Sequence, residues 1–506
     1  MSLLLSSMNL QKLPLELVEE IFRLSALQPH DGVRFYNKRS LSRLRLISRQ
    51  FEFAVDPFLF SDVTFDFETR GNSLIMDCLG TLADSDNSWH PACQYATTLC
   101  IRSLPSVERS PFNDIEYYSW VSEQIPLAIK SLKNVRVLHW DICGFDHLSA
   151  VVDGLSELPH LQDIHIRFYL PYIYQIPGMV PLHRFKTMQS LDAGGLSVLS
   201  ATDFASQLRT VLGHGQFLKK LGLNLPHSFG YSAERHLLRD IVKDMSPGTH
   251  LSLEYLRLGG FSLELDSITL PHLRNLSSLD VSREPEHRWN PKDEQFWNNM
   301  ASARIRIRDL VIDGITRPIL AYLQTYEGLE RLTSLGCEET DLSLSERSTV
   351  APEEARSLSD ELYNIVLPLH KEYFLMFKTQ NHYLGRAPTY LTYQDMISLS
   401  VCKKLLTLYL IIEGSSILDK SDNDVKHLIE IALQLPEIES ISLIVTVLDP
   451  YSSTDNTATQ LTSVLTSIGV PNEVTNRSPG DFCTVQIDYH EFVAYIAEGY
   501  VKIRSA

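Results

Sequence analysis

Cysteine pairs at metal-ligand spacing are missing from this 506-residue chain: Cys78, Cys93, Cys100, Cys143, Cys337, Cys402 and Cys483 lie far apart, with no CxxC among them. Neither a zinc site nor a disulfide framework is implied, and a reducing setting, cytoplasmic or nuclear, is expected. Long apolar runs are missing too. "MSLLLSSMNL" lacks a basic flank and "LLTLYLII" from Leu405 is too short for a bilayer, so no membrane partner is expected. Glycine-bearing catalytic motifs are incomplete: "GGLSVLS" and "GGFSLE" lack the closing glycine of a nucleophile elbow, "GHGQFL" fails the dinucleotide fingerprint, and no phosphate loop occurs. Catalytic residues, metal and cofactor are therefore each expected to be none, and the chain reads as a non-enzyme. Positive charge is scarce. With 45 Lys/Arg against 62 Asp/Glu, the net charge of −17 argues against a nucleic-acid partner.

What the chain does have is 44% hydrophobic residues with 21% charged, the balance of a folded protein. Beyond residue 95 an apolar ladder, L-x-x-L-x-x-L-x-L, returns again and again. It stands as "LKNVRVLHW" from Leu132, "LPHLQDIHI" from Leu158, "FKTMQSLDA" from Phe185, "LRNLSSLDV" from Leu273, "LERLTSLGC" from Leu329, "CKKLLTLYL" from Cys402 and "LPEIESISL" from Leu435. Looser copies are "FLKKLGLNL", "LSLEYLRLGG" and "RIRIRDLVIDG". The ladder ends at Trp140, Ile166, Ala193, Leu223, Leu258, Val281, Ile312 and Cys337 are 23 to 35 residues apart. Each closing L-x-L predicts a short strand whose apolar residues need neighbouring repeats to cover them. An ordinary α/β domain, including a hydrolase of that class, is the competing reading. This half of the chain resembles the leucine-rich repeats.

If ladder residues point inward, the residues between them form an exposed strand face, expected to hold a protein target. Those positions are His139 and Asp141, His165 and Arg167, Asp192, Asn224, Tyr255 and Arg257, Asp280, Asp309 and Asp313, Glu338, and Tyr409. Asp280, Asp309 and Asp313 predict an acidic band suited to a basic segment. His139, His165, Asp141 and Asp163 alternate on consecutive ladders, which favours a strand face over a metal or acid–base group.

The N-terminus differs. "LPLELVEEIFRLS" from Leu13 predicts a short amphipathic helix with Leu17, Val18, Ile21 and Phe22 on one side and Pro14 in its first turn. "LSRLRLISRQF" then places Leu41, Leu44, Ser48 and Phe51 on a stripe, with Leu46 and Ile47 apolar beside it. That is more apolar surface than two short helices can bury, so docking on a partner or on the next domain is expected. The first fifty residues carry eight Lys/Arg against four Asp/Glu.

These residues resemble an F-box, through Leu13-Pro14, Glu16-Leu17, Ile21-Phe22, "LRLISRQF" and "DPFLF" from Asp56. Ile47, Ser48, Phe51 and Phe60 stand where the family commonly has valine, cysteine and two tryptophans. The resemblance implies a substrate-recognition subunit of an SCF-type ubiquitin ligase that performs no covalent step and acts by proximity. It implies a Skp-type adaptor, and a cullin through it, on a face of Leu13, Pro14, Leu17, Ile21, Phe22, Leu44, Ile47, Phe51, Pro57 and Phe60. A non-degradative interaction scaffold is the alternative.

The expected organisation is α/β: a small all-helical module over 1–67 with a polar insert at 26–39 looping outward, a connecting helix and loop over 68–98, and repeats over 99–337. An acidic loop and helical insertion over 338–400, where Glu338 to Glu361 holds eight acids against two arginines, precede final repeats and an amphipathic cap over 401–506. The repeats are expected to form a curved solenoid, parallel strands inside and helices outside.

Overall fold

The computed structural model describes residues 27–30, 33–36, 38–46, 49–67, 72–84, 89–102, 115–143, 147–169, 180–196, 198–213, 218–224, 237–243, 245, 250–259, 265–281, 292–312, 314–334, 352–379, 397–413, 424–446, 470–471, 483–487, 490–497 and 500–505. The predicted first helix, with Leu13, Pro14, Leu17, Ile21 and Phe22, lies outside them, as do Ile47, Asp313 and Glu338. The chain forms two compact units, Met1–Pro226 with Asp244–Thr249, and His227–Lys243 with His250–Ala506.

In the first unit, β1 (Leu27–His30) and β2 (Val33–Tyr36) pair antiparallel. The insert therefore contains a hairpin where a loop was expected, and the residues between the two strands in the sequence, Asp31-Gly32, are a strong two-residue turn signal. Helices α1 (Lys38–Arg45) and α2 (Arg49–Leu59) follow, then β3 (Asp62–Asp66), α3 (Asn72–Ala83), α4 (Pro91–Tyr95) and β4 (Thr98–Arg102). After α5 (Ile115–Ser131) come β5 (Val137–Ile142), α6 (Leu148–Leu155), β6 (Asp163–Phe168), β7 (Ser190–Gly194), α7 (Val198–Gly213) and β8 (Lys220–Asn224). Strands β3 to β8 pair parallel in sequence order. Gly154 lets α6 lie against α5, because a Cβ there would stand 2.9 Å from the Ile129 Cβ.

The second unit runs α8 (Leu237–Val242), β9 (Tyr255–Gly259), β10 (Ser278–Asp280), α9 (Lys292–Ser302), β11 (Asp309–Ile312), α10 (Arg317–Leu323) and β12 (Arg331–Ser334). A helix, α11 (Pro352–Glu361), continues through a π turn at Leu362–Val366 into α12 (Leu367–His370). Then come β13 (Met376–Thr379), β14 (Thr407–Glu413), α13 (Asp424–Leu433), β15 (Ser440–Thr446), β16 (Val470–Pro471), β17 (Cys483–Ile487), β18 (His490–Ala497) and β19 (Tyr500–Ser505). Strands β9 to β15 pair parallel in order and β17 joins β15; β18 and β19 then turn antiparallel, with β16 beside β19. The registers describe an open ladder in each unit.

The ladder motif has a physical basis in its two spacings. In several ladders the L-x-x-L is a turn closed by an i→i+3 bond, as when Val135 N–H donates to Leu132 O at 3.1 Å or Leu405 N–H to Cys402 O at 3.1 Å. Each L-x-L is a strand, where period two returns the side chain to the same face. Leu132, Val135, Leu138 and Trp140 are thereby all buried. One backbone carbonyl then receives two consecutive N–H groups from the next repeat: Arg136 and Val137 donate to Thr97 O, Gln162 and Asp163 to Arg136 O, and Gln189 and Ser190 to Gln162 O. The second unit repeats this, with Arg308 and Asp309 donating to Ser277 O, Glu330 and Arg331 to Arg308 O, and Leu375 and Met376 to Glu330 O. All ten ladders read from the sequence contain a parallel strand.

Three of the parallel strands were not anticipated. β3 and β4 have no full ladder before them, only Val63-x-Phe65 and Leu99-x-Ile101. The region 338–400, read as inserted or degraded with its number of repeats left open, contains β13 in ordinary register with its neighbours. "LERLTSLGC" is shifted by three residues: Leu332 pairs with the ladder residue Leu310 and Ser334 with Ile312, so the outward positions are Arg331 and Thr333, not Glu338. An i, i+3 run of leucines allows either register, and the buried Ser334 concealed the correct one. The C-terminal segment read as an amphipathic cap consists of antiparallel strands.

Buried polar rings satisfy backbone between repeats. His370, fully buried, accepts the Leu329 N–H on Nδ1 at 3.2 Å and donates from Nε2 to Leu323 O at 3.1 Å, while His272 Nδ1 accepts the Leu251 N–H at 3.0 Å. Tyr322 OH donates to Ile305 O and Tyr326 OH to Ile307 O, both at 2.8 Å. Burial pushes both phenols up, holds His272 below the usual imidazole range, and lowers His370 to about 4. Above pH 6.5 the His370 imidazole is neutral folded or unfolded. As pH falls from there towards 4, the unfolded chain binds a proton that the folded one refuses, and stability drops by about 3 kcal/mol. We expect His370→Gln, whose amide can make the same two bonds, to lose about 2 kcal/mol less than wild type between pH 7 and 4.5 in urea unfolding. Parallel losses in the two proteins would show that His370 titrates normally.

Candidate protein-interaction surfaces

The N-terminal helices are tied by Arg45. Its Nε–H donates to Asp56 Oδ1 at 2.6 Å, its Nη2–H to Glu52 Oε1 at 2.9 Å, and its guanidinium lies 5.5 Å from the Phe60 ring centroid. The hydrogen bond to Asp56 raises the Arg45 pKa against the opposing effect of burial. Leu41, Phe51, Ala54 and Val55 fill the interior of this region. Phe51, assigned above to the adaptor face, is 3% exposed and so supports the helices from within. Pro57 and Phe60 are half-buried. The uncovered apolar residues are others: Leu46 is 83% exposed and Phe53 61%. Leu46 was flagged by its position off the apolar stripe; Phe53 was hidden within "RQFEF", where either phenylalanine fits the pattern.

The strand face of the first unit carries Cys100, His139, His165, Asp192 and Gly222 in one register row. The rings of His139 and His165 stack with centroids 4.7 Å apart, and His165 Nδ1 lies 3.6 Å from Asp192 Oδ2. Partial loss of water, then His165, Arg167 and Arg102, hold His139 below the ordinary imidazole range, with Asp62 opposing. In the next row Arg102 Nε is 3.8 Å from Asp141 Oδ2; desolvation raises the Asp141 pKa while Arg102 and Arg167 pull it back. Arg167 is raised first by its hydrogen bond to Tyr169. The expected residues His139, Asp141, His165, Arg167, Asp192 and Asn224 all occupy outward positions.

On the second unit, Tyr255, Arg257, Asp280, Asp309 and Tyr409 also face outward, but the expected acidic band does not form as a free surface. Arg257 Nε is 3.1 Å from Asp280 Oδ2 and Arg331 Nη1 is 3.7 Å from Asp309 Oδ2. Desolvation raises the Asp309 pKa and Arg331 lowers it. Directly opposed strand positions are within side-chain reach, so acids beside arginines pair across the sheet. Arg331, Met376 and Lys378 were missed because the first belonged to the shifted ladder and the others to the unrecognised repeat.

Among the described residues no group of three or more His, Cys, Asp and Glu is placed to hold a metal ion, and no helix is long and apolar enough to cross a membrane. No family model matches the chain, and no curated protein matches it. Its backbone is similar to the crystal structure of the Rad7 and Elc1 complex in yeast, at a TM-score of 0.39 and 12% identity, covering 87% of this chain and 91% of that one. It is also similar to the TLR13–ssRNA13 complex at a TM-score of 0.25 and 13% identity, covering 69% of this chain and only 50% of that one. Likenesses this distant carry no argument about partners. The leucine-rich-repeat architecture rests on the strand registers and the buried ladder residues.

The two ion pairs differ in environment: the Asp280 side chain is 12% exposed, against 54% and 35% for Arg331 and Asp309. A double-mutant cycle with Arg257→Met and Asp280→Leu should show a coupling of about 1 kcal/mol that survives high salt. The cycle at Arg331 and Asp309 should give about 0.5 kcal/mol or less and vanish with salt. Equal couplings would show that the burial difference has no energetic effect.

Proposed function

We propose that the chain is the substrate-recognition subunit of an SCF-type ubiquitin ligase. The N-terminal helices hold a Skp-type adaptor, and a cullin through it; the outward strand faces hold the target protein. The chain itself does no covalent chemistry and accelerates transfer by placing target lysines near the ubiquitin donor. The observation that supports this reading is a combination within one unit: helices with uncovered apolar side chains, Leu46 and Phe53, and a parallel sheet whose outward rows are polar. Leu46 and Phe53 would each contribute about 1.5–3 kcal/mol if a partner buried them fully.

Leu46→Asp with Phe53→Asp should therefore weaken co-purification with a co-expressed Skp-type adaptor by at least about tenfold, the effect of 1.4 kcal/mol. Because both side chains already face solvent, the thermal unfolding midpoint should hold. Undiminished adaptor recovery would remove the ligase reading. An adaptor complex that binds a target yet transfers no ubiquitin in reconstitution would instead support the non-degradative scaffold.

A further inference from the structure

The outward face of the second unit divides into two chemically different halves. From β9 to β12 the charges are paired within the sheet, Arg257 with Asp280 and Arg331 with Asp309. Part of that half is also covered already, since Asp280 is 9% and Thr333 8% exposed. A partner arriving there would have to break satisfied pairs to gain its own.

From β13 to β15 the register sets Met376 beside Thr407 and Ser440, and Lys378 beside Tyr409 and Ser442. All six side chains are half-exposed. At about 4.8 Å between strands they form a patch about 10 Å wide. Lys378 Nζ lies 4.6 Å from the Tyr409 ring centroid, a cation–π contact that holds both side chains in place. These two rows of β13 to β15 contain no carboxylate to answer the ammonium. Tyrosine and methionine are types enriched at interfaces, and in these rows a partner has no arginine–carboxylate pair to break.

Resting on the reading of the strand face as the target site, we propose that β13–β15 are its binding centre and that they take an extended peptide segment carrying a carboxylate beside an apolar side chain. The carboxylate meets Lys378, the apolar group covers Met376 and the Tyr409 ring, and the peptide backbone meets the hydroxyls of Thr407, Ser440 and Ser442. The net charge of −17 opposes an acidic segment at long range, but that diffuse field is screened beyond about 10 Å, where the contacting ammonium decides.

The test uses the immobilised full-length chain and two pools of synthetic twelve-residue peptides, identical except for a central Glu or Lys flanked by Leu, Phe or Tyr. The Glu pool should bind the wild type at least tenfold better than the Lys pool, Lys378→Glu should reverse that preference, and Tyr409→Ala should weaken Glu-pool binding tenfold, all with unchanged thermal midpoints. Equal binding of the Glu pool to wild type and Lys378→Glu, or no binding of either pool, overturns the proposal. If the preference responds instead to Arg257→Glu or Arg331→Glu, the strand face still binds but the centre lies elsewhere. If no strand-face variant alters peptide binding, the reading of that face as the target site falls with it.

Discussion

One carbonyl accepting two consecutive N–H groups at the entrance of successive parallel strands is the constraint on which this architecture depends. Thr97 O receiving Arg136 and Val137, and Arg308 O receiving Glu330 and Arg331, fix where each strand begins relative to the last. A slip by one residue would turn every ladder leucine outward and every face residue inward. The leucines supply the driving force for stacking, at about 1.5–3 kcal/mol per buried side chain. The shared carbonyl determines which residues the stack presents. His139 against His165, Arg257 against Asp280 and Lys378 against Tyr409 are all consequences of that one register.

The segments between strands are freer. They range from the long α5 to single turns such as that before β10, and where they fail to match their neighbours, side chains satisfy the backbone. His272 and His370 each accept an N–H from the preceding repeat, and Tyr322 and Tyr326 reach the carbonyls of Ile305 and Ile307. Unsatisfied buried backbone is costly, so these polar residues belong to the core as surely as the leucines.

The repeating strands were legible because two periodicities, three and two, overlap in each ladder and alternate apolar with polar. Legibility failed where a ladder residue is not apolar. Ser334 and Thr379 occupy inward positions in adjacent strands, so one ladder reads three residues late and the next is too degenerate to place within 338–400. The pairing of β1 with β2 is hard to read from the sequence because "LQPH", with one apolar residue and a proline, has no strand pattern of its own. The strand-face residues were named correctly as positions, since alternation alone places Asp280 and Asp309 outward. Their partners were not visible, because a sequence does not say that Arg257 and Arg331 lie one strand away. Phe51 shows the same limit on a helix: a stripe identifies an apolar side without saying what it packs against.

The antiparallel turn at β17 and β18 bears on assembly. A parallel sheet grown repeat by repeat ends in a strand whose free edge can template another copy in the same orientation, an open head-to-tail arrangement with no geometric limit to its length. Folding β18 and β19 back against β17 reverses the polarity of the next strand and removes that template. The hairpin therefore acts against filament formation, and it does so by strand direction, leaving the outward side chains of the preceding repeats unaltered.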